Sequence, residues 1–317
     1  MPSAAAEHPT VHARMDPDAT ATWPLPVPYD FFETTRFLRT GRRDPTVVRR
    51  PDGLLRAAHT PEGPATVRLV LAGSGPGASL AAEAWGPGAR AALAAVPLWT
   101  GIHEAAWVLP SHPVTDRLLR QHRGLRTSRT DDVFEALVNA VLQQLVTWNE
   151  AAMLWRRLAE ALGSPAPGPF DLRLSPTPEA VRSAGAARLV SLGVRAPQAR
   201  TLVEVARRAP GLAQAVTLPT DEAAALLESV PGVGSWTASL VLGMRLGRPE
   251  PLPLGDFHMP SVVAWALAGE PRGSDRRMQE LLAAFPGQAS RVVRLLLAAR
   301  ITAPRYGPKR EWRRVPR

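Results

Sequence analysis

The sequence predicts an α+β N-terminal unit followed by a mainly α-helical domain, and three observations point there. Strand-like runs at 46–50, 54–59 and 65–72 are separated by Pro51-Asp52-Gly53 and by Pro61-Glu62-Gly63-Pro64. Turn residues at that spacing indicate an antiparallel meander. From about residue 104 the strand signal stops and apolar residues recur every three to four positions, the helical period. A chain of 317 residues is also long enough for two packed units.

Taken in order, residues 1–22 are rich in Ala, Pro, Thr, Asp and His without periodicity and read as a flexible tail. The N-terminal α+β domain is expected over 23–103. A short helix follows Asp30, with Phe31, Phe32 and Phe37 among polar residues, and the meander comes next. Residues 73–100 hold a Gly-rich turn and an Ala-rich helical segment ending near Trp99. The helical domain spans 104–303. Thr130-Asp131-Asp132 offers N-caps for a helix in which Phe134, Leu137, Val138, Val141, Leu142 and Leu145 repeat with a 3–4 spacing. Further helices are expected at 150–162, 178–191, 197–209, 221–229, 235–246, 260–268, 275–284 and 290–299. Short helices joined by Pro/Gly loops make a compact α domain. Residues 304–317, carrying Arg305, Lys309, Arg310, Arg313, Arg314 and Arg317, are expected to be a basic C-terminal arm.

Composition narrows the function. The chain has no Cys, which excludes disulfides, Cys-ligated zinc, iron–sulfur clusters and thiol nucleophiles. The His residues show no metal spacing. No apolar run approaches the roughly 18 residues of a membrane span. The first 23 residues lack a basic n-region and an apolar h-region, so a cytoplasmic location is expected. Lys+Arg number 38 against 28 Asp+Glu, a formal charge of +10, and Lys309 is the sole lysine. Such a balance suits a polyanion, and Arg suits phosphate better than Lys does. A surplus of Arg is equally a feature of solvated surfaces. Arg117, Arg120, Arg123, Arg126 and Arg129, recurring every third residue, have both readings, a phosphate-facing stripe or a solvated face.

One segment carries chemistry, Leu226-Leu227-Glu228-Ser229-Val230-Pro231-Gly232-Val233-Gly234-Ser235-Trp236-Thr237-Ala238. A helix ends at Ser229, a tight turn built on Gly232 and Gly234 follows, and a second helix begins near Ser235. Its apolar face runs through Trp236, Leu240, Val241 and Met244. The two glycines permit positive φ and leave backbone N–H groups unobstructed at a helix N-terminus. Donors and helix dipole then point the same way, toward a DNA phosphate that Gly232, Val233, Gly234, Ser235 and Thr237 would bind. A plain αα-hairpin turn is the bland alternative.

This hairpin resembles the helix-hairpin-helix element of the DNA glycosylase superfamily named for that hairpin, its Gly/Pro-rich loop and a downstream aspartate (HhH-GPD). Asp256, in Pro251-Leu252-Pro253-Leu254-Gly255-Asp256-Phe257-His258, stands 22 residues after Gly234, where that family places its catalytic Asp. The resemblance makes 221–246 the hairpin and 249–260 the catalytic loop. Alone, an aspartate ahead of a helix reads as an N-cap or Asx turn. In the family's role its carboxylate stabilises the oxocarbenium-like sugar formed as a base leaves, and orients or deprotonates the attacking water. Members that also cut the strand carry a nucleophilic Lys where this chain has Trp236, so a monofunctional enzyme without lyase activity is implied. The absence of Cys excludes the iron–sulfur subgroup.

Within the superfamily, the chain is most similar to the bacterial alkylpurine (3-methyladenine type II) glycosylases, from about Pro28 to Ala303. The resemblance implies a TATA-binding-protein-like N-terminal sheet and a base pocket formed by Trp236, Phe37, Leu240, Phe257 and His258. It also implies a wedge at Gln144 and Leu145 that fills the space of a flipped nucleotide. A structural Na⁺ or K⁺ would rest on the backbone carbonyls of Glu228, Val230 and Val233, with no cofactor required. Leu145 and Phe37 are each also readable as core, Trp236 as wall and core together, and His258 as a loop residue satisfying backbone groups. Few aromatics accompany Trp236, which leaves small methylated purines and bulkier adducts both open. The implied partner is double-stranded DNA with a damaged base, bound by a nucleoid-associated monomer that contacts no membrane. A non-catalytic helix-hairpin-helix DNA-binding protein is the alternative reading, and a mismatch or oxidised-base glycosylase a third.

Overall fold

The computed structural model describes residues 15–304. The start of the expected tail and the basic arm from Arg305 onward lie outside the described residues. Five strands, β1 (Ala19–Pro24), β2 (Val47–Arg50), β3 (Gly53–Thr60), β4 (Gly63–Ala72) and β5 (Ser79–Trp85), form one antiparallel sheet in the order β1-β5-β4-β3-β2. Strands β2, β3 and β4 are the three runs that the turn chemistry marks out. Strand β1 corrects the expected tail, and β5 occupies a stretch read only as turn and helix. Both are rich in Ala, a weak strand former, so composition hides them. Their pairing is what holds them, since β5 lies between β4 and β1, with Ala82 opposite both Leu69 and Ala21.

Alternation along the strands gives the sheet two apolar faces. Leu54, Val67, Leu69, Leu80 and Ala82 face α2 (Ala89–Thr100), which contributes Ala92, Leu93, Val96 and Trp99. The edge of this core is closed by α1 (Phe31–Thr34), which Asp30 caps by accepting from the Glu33 N–H at 3.0 Å, and by the 3₁₀ turn Thr35–Leu38. On the other face Leu55, Ala57 and Trp85 meet Phe170, Leu172 and Leu174, from an irregular stretch of the helical domain. The two domains therefore share a core.

The remaining helices are α3 (Pro113–Gln121), α4 (Val133–Leu142), α5 (Trp148–Leu162), α6 (Pro178–Ser191), α7 (Ala196–Leu212), α8 (Thr220–Glu228), α9 (Ser235–Leu240), α10 (Met259–Ala268), α11 (Asp275–Leu282) and α12 (Ala289–Ala298). Helix α4 is the hub, because its sequence is apolar almost all round. Val133, Ala136, Leu137 and Ala140 pack toward α8 and α9, while Val138, Val141 and Leu142 pack toward α5, α6 and α7. A third cluster joins α3, α10, α11 and α12 through Leu118, Val263, Met278, Phe285 and Val292. The arginine pattern breaks partway: Arg117, Arg120 and Arg123 are exposed, but α3 ends at Gln121 and Arg126 is buried, donating to the carbonyls of Pro28, Arg123 and Leu125. Among the described residues no helix is long and apolar enough to cross a membrane.

Candidate active site

Helices α8 and α9 form the expected hairpin. Gly232 has φ 89°, and a Cβ there would lie 2.0 Å from the Thr201 hydroxyl of α7, so only glycine fits. Gly234 departs from expectation: its φ is −104°, ordinary extended backbone, and its surroundings are open. Gly232, Gly234 and Ser235 are exposed, whereas Val233 is buried in the hairpin core. Thr237 also corrects the expected phosphate set, because its side chain is buried and its hydroxyl accepts from Gln144 Nε2 at 3.0 Å. The Val230 carbonyl accepts from the Val233 N–H at 2.9 Å, and Arg208 donates to the Ser229 carbonyl at 3.2 Å.

Helix α4 stops at Leu142, two residues before the expected wedge. Gln198 from α7 ties down the turn by donating to the carbonyls of Val141 and Gln144, at 3.0 and 2.9 Å. Leu145 then adopts φ 56° and stands 78% exposed, which overturns its reading as core. Gln144 turns the other way. Its Nε2 donates to the Gly232 carbonyl at 2.9 Å as well as to Thr237, so it locks the wedge turn onto the hairpin.

Beyond α9 the chain continues as a π-helical turn, Val241–Arg245, and reaches the aspartate loop. Gly255, at φ 85°, turns the chain into Asp256, and its N–H donates to Asp275 at 2.9 Å. Asp256 is fixed by both oxygens. Oδ1 accepts the N–H groups of His258 and Met259, each at 2.8 Å, and Oδ2 accepts the Trp236 indole N–H at 2.9 Å. The loop-capping role read from sequence is thus present, with the second carboxylate oxygen held by the Trp236 indole. Capping also explains a correction: with both N–H groups folded back on Asp256, Phe257 and His258 point outward. Phe257 is 86% exposed, its ring edge-on to His258 at 4.9 Å, and neither residue lines the pocket.

That pocket is a cleft of about 830 Å³ between the domains. Trp236, Leu240, Met244, Asp256 and Met259 form its hairpin-side wall, with Phe37 from the N-terminal domain. Phe37 is half-buried beneath the Arg294 guanidinium, 4.8 Å from its ring centre. Burial pushes Arg294 down to about 9, and its Nη2 donates to the carbonyls of Ser128 and Met244.

Sequence reasoning missed the opposite wall. There Arg39, Arg42, Arg43 and Arg49 line the cleft above a buried polar floor. Asp44 Oδ2 accepts the Thr40 N–H, and Oδ1 accepts the Thr46 N–H and hydroxyl and the Trp155 indole. Thr40 donates in turn to Asn139 at 2.6 Å and accepts from Arg245 at 2.7 Å. Burial raises the Asp44 carboxyl above the usual range. Its one trace in the sequence is an acid between Arg43 and Pro45.

The site joins a helix-hairpin-helix element to a carboxylate at the mouth of a deep cleft. Residues 138–286 match the family model of the HhH-GPD superfamily base excision DNA repair proteins. Over 125 residues the chain is 34% identical to DNA-3-methyladenine glycosylase 2 of Escherichia coli, an alignment covering 39% of this chain and 44% of that protein. The matched region is thus less than half the length of that relative. Among solved structures, 3-methyladenine DNA-glycosylase from Archaeoglobus fulgidus superposes with a TM-score of 0.75 at 20% identity, over 88% of this chain and 98% of that one. The 8-oxoguanine glycosylase/lyase of Clostridium acetobutylicum gives 0.65 at 13% identity, over 90% and 99%. The shared fold therefore includes the N-terminal sheet that the family model leaves out.

Proposed function

We propose that this protein is a monofunctional DNA glycosylase that hydrolyses the N-glycosidic bond of alkylated purines in duplex DNA, the first step of base excision repair. The observation that carries the reading is the Trp236–Asp256 hydrogen bond at the cleft. It fixes a carboxylate where a flipped nucleotide would place its sugar while the base enters beside the indole. As the C1′–N bond lengthens, positive charge grows on the deoxyribose, and a pre-oriented carboxylate stabilises it without reorganising. Water then adds to C1′, giving up a proton to Asp256, and the bonding electrons return to the departing base. An alkylated, cationic purine needs no second acid to leave.

Exposed Leu145 suits a wedge that holds the duplex open once the nucleotide has left the stack. The exposed hairpin turn at Gly232, Gly234 and Ser235 suits phosphate contact. A Clostridium acetobutylicum 8-oxoguanine glycosylase/lyase of the same fold has been solved in complex with double-stranded DNA. Trp236 stands at the position of the family's nucleophilic Lys, so strand cleavage through a Schiff base has no lysine there to form on. The carbonyls of Glu228, Val230 and Val233 can also hold a monovalent cation, because the Val233 N–H leaves Val230 a second lone pair. Such an ion would supply positive charge beside a bound phosphate.

The test is base release from methylating-agent-treated duplex DNA, with free bases separated chromatographically and strands run with and without alkali. Released 3-methyladenine or 7-methylguanine, with breaks only after alkali, is the expected result. Breaks without alkali contradict the monofunctional reading. Tight, salt-sensitive binding to DNA bearing methylated or bulkier adducts, without release of any base, would favour a non-catalytic binder instead.

A further inference from the structure

The cleft treats its arginines unequally. Arg36 is paired with Glu33 at 3.5 Å and donates to the Leu297 carbonyl, and Arg156 is paired with Glu160 at 2.6 Å. Arg39, Arg42, Arg43 and Arg49 line the same cleft, and among the described residues none has a carboxylate oxygen within 4.0 Å. The nearby acid, Asp44, favours the charge on Arg39, but its hydrogen bonds go to Thr40, Thr46 and Trp155, and among the described residues Arg42, Arg43 and Arg49 have no acid partner within 4.0 Å. Arg39 Nε is buried without a partner, and Arg49 is stacked 4.0 Å above the Phe32 ring. Beside Arg39, the exposed guanidiniums of Arg42, Arg43 and Arg49 line the cleft without an acid partner and favour an anionic ligand.

Two anions are available on a DNA substrate, a backbone phosphate and a carboxylate carried by the base itself. The buried Nε of Arg39 lies within the cleft wall, whereas phosphates track the outer surface of the duplex. A cleft of about 830 Å³ falls toward the upper end of the roughly 300–1,000 Å³ typical of small-molecule sites. That leaves room beyond a purine and a methyl group. We propose that the arginine wall selects purines alkylated at N3 or N7 with an acidic substituent, N-carboxyalkyl purines, whose carboxylate reaches Arg39, Arg42, Arg43 or Arg49 while the ring stacks at Trp236. This inference rests on the glycosylase reading above. The reaction is the same hydrolysis: water adds to C1′, the C1′–N9 bond breaks, and its electrons neutralise the cationic ring. The carboxylate takes no part in bond making.

The experiment compares single-turnover release, at enzyme concentrations below saturation so that binding and chemistry both count, from duplexes carrying one 7-(carboxymethyl)guanine or one 7-methylguanine in the same sequence. Wild type and the triple variant Arg42→Gln/Arg43→Gln/Arg49→Gln are measured. Charge-assisted hydrogen bonds of the usual strength give wild type a preference of about tenfold or more for the carboxymethyl base. The triple variant should lose that preference while its release of 7-methylguanine stays within about twofold, which also shows that it folds. Equal wild-type rates on the two bases, or equal slowing of both in the variant, would overturn the inference and assign the wall to backbone phosphate. Single substitutions at the three positions repeat the comparison should the triple variant be unstable. If wild type releases neither base, the glycosylase reading fails first and takes this inference with it.

Discussion

The two walls of the cleft are built differently. Trp236 and Asp256 are 20 residues apart, joined by a hydrogen bond within one hairpin-and-loop segment. The arginine wall rests on contacts between distant parts of the chain. Thr40 meets Asn139 across 99 positions, Asp44 meets Trp155 across 111, and Arg245 reaches Thr40 across 205. The first wall is a local unit that survives as a motif, and it carries the chemistry proposed for the site. The second exists only when both domains are folded, and it shapes what the cleft accepts. Chemistry and specificity therefore have separate structural supports, which substitutions can break one at a time.

The largest expected effect is on the assembled wall. Asp44→Ala strips the acceptor from the buried Trp155 indole and from the Thr40 and Thr46 N–H groups. Donors left unsatisfied in the interior cost about 1–3 kcal/mol each. Denaturant unfolding should show a loss of about 3 kcal/mol or more, and an unchanged midpoint would contradict the supporting role of Asp44. Gln144→Ala, which removes the two bonds locking the wedge turn to the hairpin, should cost about 1–2 kcal/mol and slow base release.

Leu145→Gly separates function from packing. A leucine at φ 56° is strained and exposed, so glycine should leave stability within about 0.5 kcal/mol or raise it slightly. Base release should nevertheless fall about tenfold if the side chain fills the vacated stack. Unaltered release with unaltered stability would remove the wedge.

A separate effect is a pH dependence at the hub helix. Burial, with the neighbouring Glu135 charge adding to it, pushes the Asp132 carboxyl up to about 6. A carboxyl whose folded pKa exceeds its unfolded value near 4 binds protons more readily when folded. Its contribution is complete below about pH 4 and is lost as pH rises through about 6. Asp132→Asn keeps an acceptor for the Glu135 N–H and should flatten that part of the Tm-against-pH curve. An unchanged slope between pH 4 and 6 would place the titration elsewhere.

The same contrast explains what the sequence makes legible. Strands β2 to β4, most of the helices and the hairpin follow from local periodicity and turn residues, and Asp256 from the family resemblance of its loop. Strands β1 and β5 do not, because an Ala-rich strand is defined by its partners across the sheet. Spacing placed Phe257 and His258 beside Asp256 but did not reveal that the His258 and Met259 N–H groups fold back onto it and leave the Phe257 and His258 side chains pointing outward. An every-third-residue arginine pattern suggested a stripe, yet α3 ends at Gln121 partway along it, and Arg126 is buried against backbone carbonyls. The arginine wall was invisible for the same reason as β1 and β5, since its residues acquire a role only across the domain junction.

The central claim is that Asp256 performs the chemistry and is more than the cap of its loop. Asp256→Asn retains a side-chain oxygen for the His258 and Met259 N–H groups but removes the charge facing the sugar. Single-turnover release of 7-methylguanine from duplex DNA, measured alongside DNA affinity, tests it most directly. The account expects release to fall at least about 100-fold with affinity kept or increased. Release at the wild-type rate would contradict it and leave Asp256 a structural residue.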